Sequence, residues 1–298
     1  MNEKKKILVT GALGQVGMEL RELQAEYPEF DFRFTDYEDL DITDDRAVDA
    51  YVAAYRPDFI FNCAAYTAVD KAEEDVAKAL AINSTGAGHL ARAARDYGST
   101  LFHISTDYVY DSGKNSPYIE GDPENPGGIY AITKLLGDRA VRLAAPGSIV
   151  FRTSWVYSAF GHNFVKTMRR LGRERPELRI VYDQIGSPTY ARDLARAMLD
   201  VARQMASGVI DPDRAAGIYH FSNEGVASWY DFAKAIFEME GITCRVVPIL
   251  SAQYPTPARR PPFSLMDKSK FKETFGLEIP YWRDALSDCL RNIRKNES

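Results

Sequence analysis

The chain has 298 residues, 45% of them hydrophobic and 27% charged, with a net charge of −5 at pH 7. That length holds one domain with an elaborated second lobe, and the acidic balance argues against a nucleic-acid binder. No apolar run reaches the ~18 residues of a membrane span, and three scattered cysteines (Cys63, Cys244, Cys289) and four histidines show no metal-ligand spacing, so no metal site and a reduced, cytoplasmic setting are expected.

The first six residues read as a solvated basic tail. Ile7-Leu8-Val9 then forms a short buried strand, followed by Gly11-x-x-Gly14-x-x-Gly17 and a helix with Met18, Leu20 and Leu23 inward. A glycine-rich turn between strand and helix leaves backbone N–H groups at a helix N-terminus, which suits a pyrophosphate. The spacing departs from GxGxxG, and a glycine turn without a ligand is the plainer alternative. Phe30 to Thr35 alternates as a strand. It ends at Asp36, 19 residues past Gly17, where an acid can bond the adenine ribose and repel a 2′-phosphate. Asp36 is otherwise a solvated strand end, and Arg33 nearby would soften any preference for NAD over NADP. The loop Leu40-Asp41-Ile42-Thr43 is placed to edge the adenine.

Ala47 to Tyr55 reads as a helix. Pro57 to Ala65 reads as a buried strand ending in small residues that permit close approach of a cofactor. Lys71–Asn83 and Ser84–Tyr97 read as two alanine-rich helices, and Leu101–Ser105 as the next strand. Thr106 would sit at the carboxyl end of that strand, where open α/β sheets bind ligands. Tyr130-x-x-x-Lys134 places a phenol and an ammonium on one helix face. A cation that close pulls a tyrosine below its free pKa of about 10 and makes it a proton donor near neutrality. Ile149–Thr153 closes a β-α rhythm that predicts a doubly wound parallel sheet (Rossmann) over residues 1–155.

Beyond residue 155 the rhythm loosens into a smaller, interleaved C-terminal α/β substrate lobe. The expected division is a dinucleotide-binding domain, 1–155 with a return segment at 183–206, and a lobe made mainly of 156–182 and 207–298. The helix Asn163–Gly172 carries Lys166, Arg169 and Arg170 and reads as a solvated face. A strand Leu178–Tyr182, a helix Ala191–Met205 and a strand Ile218–Phe221 follow. Ser228 and Asp231 frame a capping box opening a helix to Met239. The proline-rich stretch Ser251–Phe263 is either a rigid linker or a lid carrying Arg259 or Arg260 to a phosphate.

Together these residues resemble the extended short-chain dehydrogenase/reductase superfamily, through Thr10-Gly11-x-x-Gly14-x-x-Gly17, Asn62-Cys63-Ala64-Ala65, Thr106 and Tyr130-x-x-x-Lys134. Within it the chain is similar to the dTDP-4-dehydrorhamnose reductase family. That narrower likeness rests on Gly11 to Gly17, Ala64 to Glu73, Ser105 to Tyr110, Arg152 to Tyr157, Asp183-Gln184-x-Gly186-Ser187-Pro188-Thr189, and Tyr254 to Pro257 followed by Arg260-Pro261.

The resemblance implies NADPH or NADH as hydride source and a dTDP-sugar as substrate. It implies catalysis by Tyr130, Lys134 and Thr106. Cofactor contacts fall to Gly11, Gly14, Gln15, Val16, Gly17, Asp36, Asp41, Ile42, Ala64, Ala65 and Tyr66 beside Tyr130 and Lys134. Substrate contacts fall to Thr106, Asp107, Tyr108, Trp155 and Arg260. Some members form metal-assisted dimers through acidic residues, with Glu19 a candidate position; ligand spacing gives Mg²⁺ no support, and monomer and homodimer both stay open. A related 4,6-dehydratase would carry Asp-Glu after the threonine, where this chain has Asp107-Tyr108. An epimerase/reductase would need a Cys/His pair. A non-catalytic regulatory subunit of the methionine adenosyltransferase type would not need Thr106, Tyr130 and Lys134 intact.

Overall fold

A computed structural model describes residues 3–110 and 113–297. Six parallel strands form the central sheet: β1 (Lys5–Thr10), β2 (Phe30–Thr35), β3 (Phe59–Asn62), β4 (Thr100–Thr106), β5 (Ile149–Thr153) and β6 (Gly217–His220). Their spatial order is β6-β5-β4-β3-β1-β2, so the chain reverses direction of travel between β1 and β3. The crevice at such a reversal is where open α/β sheets take ligands.

Adjacent residues on the strands serve opposite faces, as the two-residue period of a strand requires. Val9, Phe61, Phe102 and Phe151 pack on helices α1 (Gln15–Leu23) and Ala191–Ala206. Leu8, Ile60, Leu101 and Val150 pack the other way. They meet α2 (Asp45–Tyr55), α3 (Ala87–Tyr97) and α4 (Ile129–Ala144). This is the doubly wound sheet that the sequence rhythm predicts.

A second core lies outside the sheet. Tyr157, Met168, Phe232, Ile236, Trp282, Leu286 and Ile293 gather there, from helices α5 (Phe164–Glu174), α7 (Trp229–Glu240) and α8 (Trp282–Glu297) and the segments beside them, while α6 (Ala191–Ala206) stays with the sheet core. The capping box at Ser228 and Asp231 is present.

Several local expectations change. Lys5 and Lys6 are not tail: they open β1, with Lys5 Nζ donating to Asp58 at 2.8 Å and the Lys6 N–H to the same carboxylate. Residues 1 and 2 lie outside the described residues. The expected helix over 71–83 is broken into Val69–Ala72, Val76–Leu80 and a π-helical turn, Ala81–Gly86. Tertiary bonds cause the break: Asp75 accepts from the Tyr66 hydroxyl, and Glu73 reaches across to the backbone N–H of Ile129. Arg169 is not solvated. It is buried and paired with Glu240 and Glu297, whereas Arg170 is itself exposed and paired with Glu174. A strand Arg245–Ile249, paired in parallel with Glu177–Val181, escaped the sequence reading.

Candidate active site

Five strands of the sheet end in five of the singled-out stretches. Thr10 is followed by the glycine turn, Thr35 by Asp36, Asn62 by Ala64 to Tyr66, Thr106 by Asp107 and Tyr108, and Thr153 by Trp155. Parallel strands share one carboxyl edge, so all five stretches meet along one crevice.

The glycine turn is built for close approach. Gly11 has φ +67°, and a Cβ there would come within 2.5 Å of the Ala64 backbone nitrogen. A Cβ on Gly17 would meet the Gly11 carbonyl oxygen at 2.5 Å, so helix α1 lies tight against the turn. Gly14 caps α1 with no side-chain bond, and the first turn carries no acid. The helix start therefore keeps free N–H donors and its positive dipole end, which fits a pyrophosphate. Val16 is buried in the sheet core. Gln15 instead reaches out: its amide oxygen accepts from Asn163 Nδ2 at 3.0 Å, tying the turn to the start of α5.

Asp36 holds the same turn from the far side, accepting the Leu13 N–H at 2.8 Å and the Tyr37 N–H at 2.8 Å. Arg33 does not soften this acid as expected, because its guanidinium lies over the Tyr55 ring at 3.9 Å. Asp41 accepts from the Thr43 N–H and hydroxyl, and buried Ile42 abuts Gly86 in the π-helical turn. Asn62 takes the Thr10 hydroxyl and the Ala64 N–H on one oxygen, which links the ends of β1 and β3.

Tyr130 and Tyr108 are both half-buried. The Thr106 hydroxyl donates to Asp107 at 3.1 Å, and Tyr108 meets the Tyr130 ring edge-on at 5.6 Å. Lys134 Nζ donates to the Ile104 carbonyl at 2.6 Å, not to the phenol. The expected lowering of Tyr130 is absent. Desolvation pushes its phenol up to about 12, with the Thr106 hydroxyl opposing, and burial pushes the Lys134 ammonium down to about 8, with Asp138 opposing. Desolvation of both groups outweighs the attraction that their spacing suggests. The buried Asp107 carboxyl is pushed up to about 6 by burial, against hydrogen bonds from Ser264 and Thr106.

Two site residues are held by unforeseen partners. Trp155 stacks on Trp229, with ring centroids 3.7 Å apart, and adopts φ +48°. Left-handed backbone at a tryptophan costs about 1–3 kcal/mol and is kept where neighbours over-determine it. Arg260 is gripped by both carboxylate oxygens of Asp70, so its guanidinium is engaged within the protein. Glu19, the candidate dimer-metal position, is buried and bonded to Ser158 and Arg192 of its own chain.

Asn83 carries no motif that marks it in the sequence. It is buried in the π-helical turn, accepts the Tyr66 N–H at 2.8 Å and donates to the Tyr66 carbonyl and Thr133 Oγ1. It thus pins the Ala64–Tyr66 stretch to α4. Its one signal was a polar residue on the apolar stripe with Ala79 and Ala87. No group of acids, histidines and cysteines among the described residues has metal-site geometry, and no helix among them is long and apolar enough to cross a membrane.

Residues 5–295 match the family described as RmlD substrate binding domain. The chain is 42% identical to the dTDP-4-dehydrorhamnose reductase of Burkholderia thailandensis, covering 97% of this chain and 99% of that one. The crystal structure of a dTDP-4-dehydrorhamnose reductase from Clostridium acetobutylicum superposes with a TM-score of 0.91 at 39% identity, covering 97% of this chain and 99% of that one. The Bacillus anthracis enzyme, solved in complex with NADP, gives 0.90 at 37% identity over 97% and 99%. The glycine turn, the Thr106–Tyr130–Lys134 cluster and this full-length likeness agree: the chain belongs to the dTDP-4-dehydrorhamnose reductase family.

Proposed function

We propose that the protein reduces the C4 ketone of dTDP-4-dehydro-β-L-rhamnose to dTDP-β-L-rhamnose, the last step in making that nucleotide sugar. The observation that carries the chemistry is the Tyr130 phenol, half-buried against Tyr108 at the carboxyl edge of the sheet and kept protonated by desolvation. In the reducing direction the catalyst must arrive with its proton. A phenol raised to about 12 by burial is fully loaded at neutral pH.

NADPH or NADH supplies the hydride when bound. The residues that would hold it are Gly11, Gly14, Gln15, Val16 and Gly17 at the pyrophosphate, Asp36, Asp41 and Ile42 toward the adenosine, and Ala64, Ala65, Tyr66 and Lys134 along the rest. The cramped glycines and uncapped α1 fit that group. Thr106 orients the ketone oxygen. Tyr130 protonates that oxygen as negative charge develops on it, and the Lys134 ammonium steadies the phenolate left behind. Asp107, Tyr108 and Trp155 would line the sugar. In this reading 1–155 with 183–206 carries the cofactor, while 156–182 and 207–298 mainly carry the substrate. A cytoplasmic enzyme, as monomer or homodimer, goes with it.

The test is oxidation of NADH and NADPH with dTDP-4-dehydro-L-rhamnose prepared enzymatically from dTDP-glucose. Rapid oxidation yielding dTDP-L-rhamnose is expected; cofactor binding without turnover of this ketone sinks the reading. The same assay weighs Asp36. Its carboxylate would repel a 2′-phosphate, so Asp36→Ala should move the NADPH-to-NADH ratio of kcat/KM upward by roughly 10-fold. An unchanged ratio would place cofactor choice elsewhere.

A further inference from the structure

We propose that Arg259, and not its neighbour Arg260, receives the diphosphate of the nucleotide sugar. This rests on the reductase reading above and names a substrate contact within it. The two arginines are adjacent in sequence and differ in circumstance. Arg260 is paired through both terminal nitrogens with Asp70, which also accepts the Ala258 N–H at 3.0 Å. That double grip neutralises Arg260 and fixes the backbone of 258–260 against the short helix Val69–Ala72.

Arg259 is left facing a cleft of about 230 Å³ lined by Tyr108, Asn125, Gly127, Ala131 and Pro261. Its side chain passes over Gly127, where an added Cβ would stand 3.9 Å from Arg259 Cδ. Among the described residues its guanidinium has no ion pair, hydrogen bond or ring partner. The cleft adjoins the reacting groups: Tyr108 touches the Tyr130 ring, and Ala131 follows Tyr130 on α4.

Charge gives this arginine its role. A nucleoside diphosphate sugar carries two negative charges, and a protein of net charge −5 repels it at long range. The Asp70–Arg260 pair contributes no net charge at the mouth, so Arg259 supplies the local attraction. A guanidinium presents a planar fork of donors that matches phosphate oxygens two at a time, which an ammonium does not. Asp70 is therefore a positioning residue, and Arg259 selects for a substrate that bears the diphosphate charge.

The experiment compares wild type, Arg259→Gln and Arg259→Lys, by calorimetric titration with dTDP and by kinetics with sugar and cofactor varied separately. In Arg259→Gln the Kd for dTDP and the KM for the sugar nucleotide should rise roughly 10- to 100-fold, with kcat and the cofactor KM nearly unchanged. Arg259→Lys should recover only part of the loss. Wild-type dTDP affinity in Arg259→Gln, with wild type itself binding dTDP and turning over, overturns this assignment and leaves the reductase reading standing. Wild-type protein that binds no dTDP and reduces no ketone overturns both.

Discussion

Tyr130→Phe should lower turnover by about 10²–10⁴ while cofactor affinity stays near wild type. The substitution removes one oxygen from a site that is otherwise self-supporting. Thr106 keeps its bond to Asp107 at 3.1 Å and its contact with the Tyr108 N–H, so the strand end does not collapse. The ring still packs against Tyr108. Only the proton is lost. Since the phenol titrates near 12, it stays loaded throughout the neutral range and imposes no pH limit there. Lys134 does impose one. Its ammonium, held down to about 8 by burial, is present below that pH and disappears as pH rises through it. Wild-type activity should therefore fall on the alkaline side well before the phenol ionises. Steady-state rates across pH, with cofactor fluorescence titrations of both proteins, decide the matter; turnover surviving in Tyr130→Phe would remove this residue from the chemistry.

Gly137→Ala should be severely damaging for a single added methyl group. Gly137 sits on α4 one turn after Lys134, where an added Cβ would lie 2.1 Å from the Asn83 carbonyl oxygen. No rotamer relieves that contact, because the obstacle is backbone. Either α4 moves away or the π-helical turn does, and both carry the site: α4 bears Tyr130 and Lys134, and Asn83 pins Tyr66. A loss of about 3 kcal/mol or more is expected, at the upper end for overpacking, together with weakened cofactor binding. Thermal unfolding measures the first and fluorescence titration the second. A variant as stable as wild type would show that the helix and the turn separate freely.

The parts of this protein legible in sequence are those that follow local rules. The glycine turn, the buried apolar runs at Ile7-Leu8-Val9 and Phe59-Ile60-Phe61, and the four-residue spacing of Tyr130 and Lys134 are all set by near neighbours. They put five strand ends and one helix in place. What the sequence hid depends on distant partners. The break after Ala72 comes from Tyr66 and Ile129 claiming the acids Glu73 and Asp75. Arg169 looks like a surface cation until Glu240 and Glu297 arrive from other helices. Arg259 and Arg260 are indistinguishable neighbours until Asp70 takes one of them. The tyrosine pKa failed for a related reason: spacing along a helix reports proximity, whereas the balance of charge depends on how much water the folded chain excludes.

The second core has a consequence for how the protein comes into being. Trp282, Leu286, Cys289, Leu290 and Ile293 of α8 pack with Tyr157, Phe232 and Ile236, residues made long before them. The sheet waits too, since its edge strand β6 is translated after β5 and the whole of α6. On the ribosome the glycine turn and strands β1 to β5 are complete while the other lobe still lacks a wall. A growing chain can thus display a formed cofactor crevice beside uncovered tryptophan and phenylalanine surface. That interval, closed only when α8 docks, is when this polypeptide is most exposed to aggregation and most dependent on chaperones.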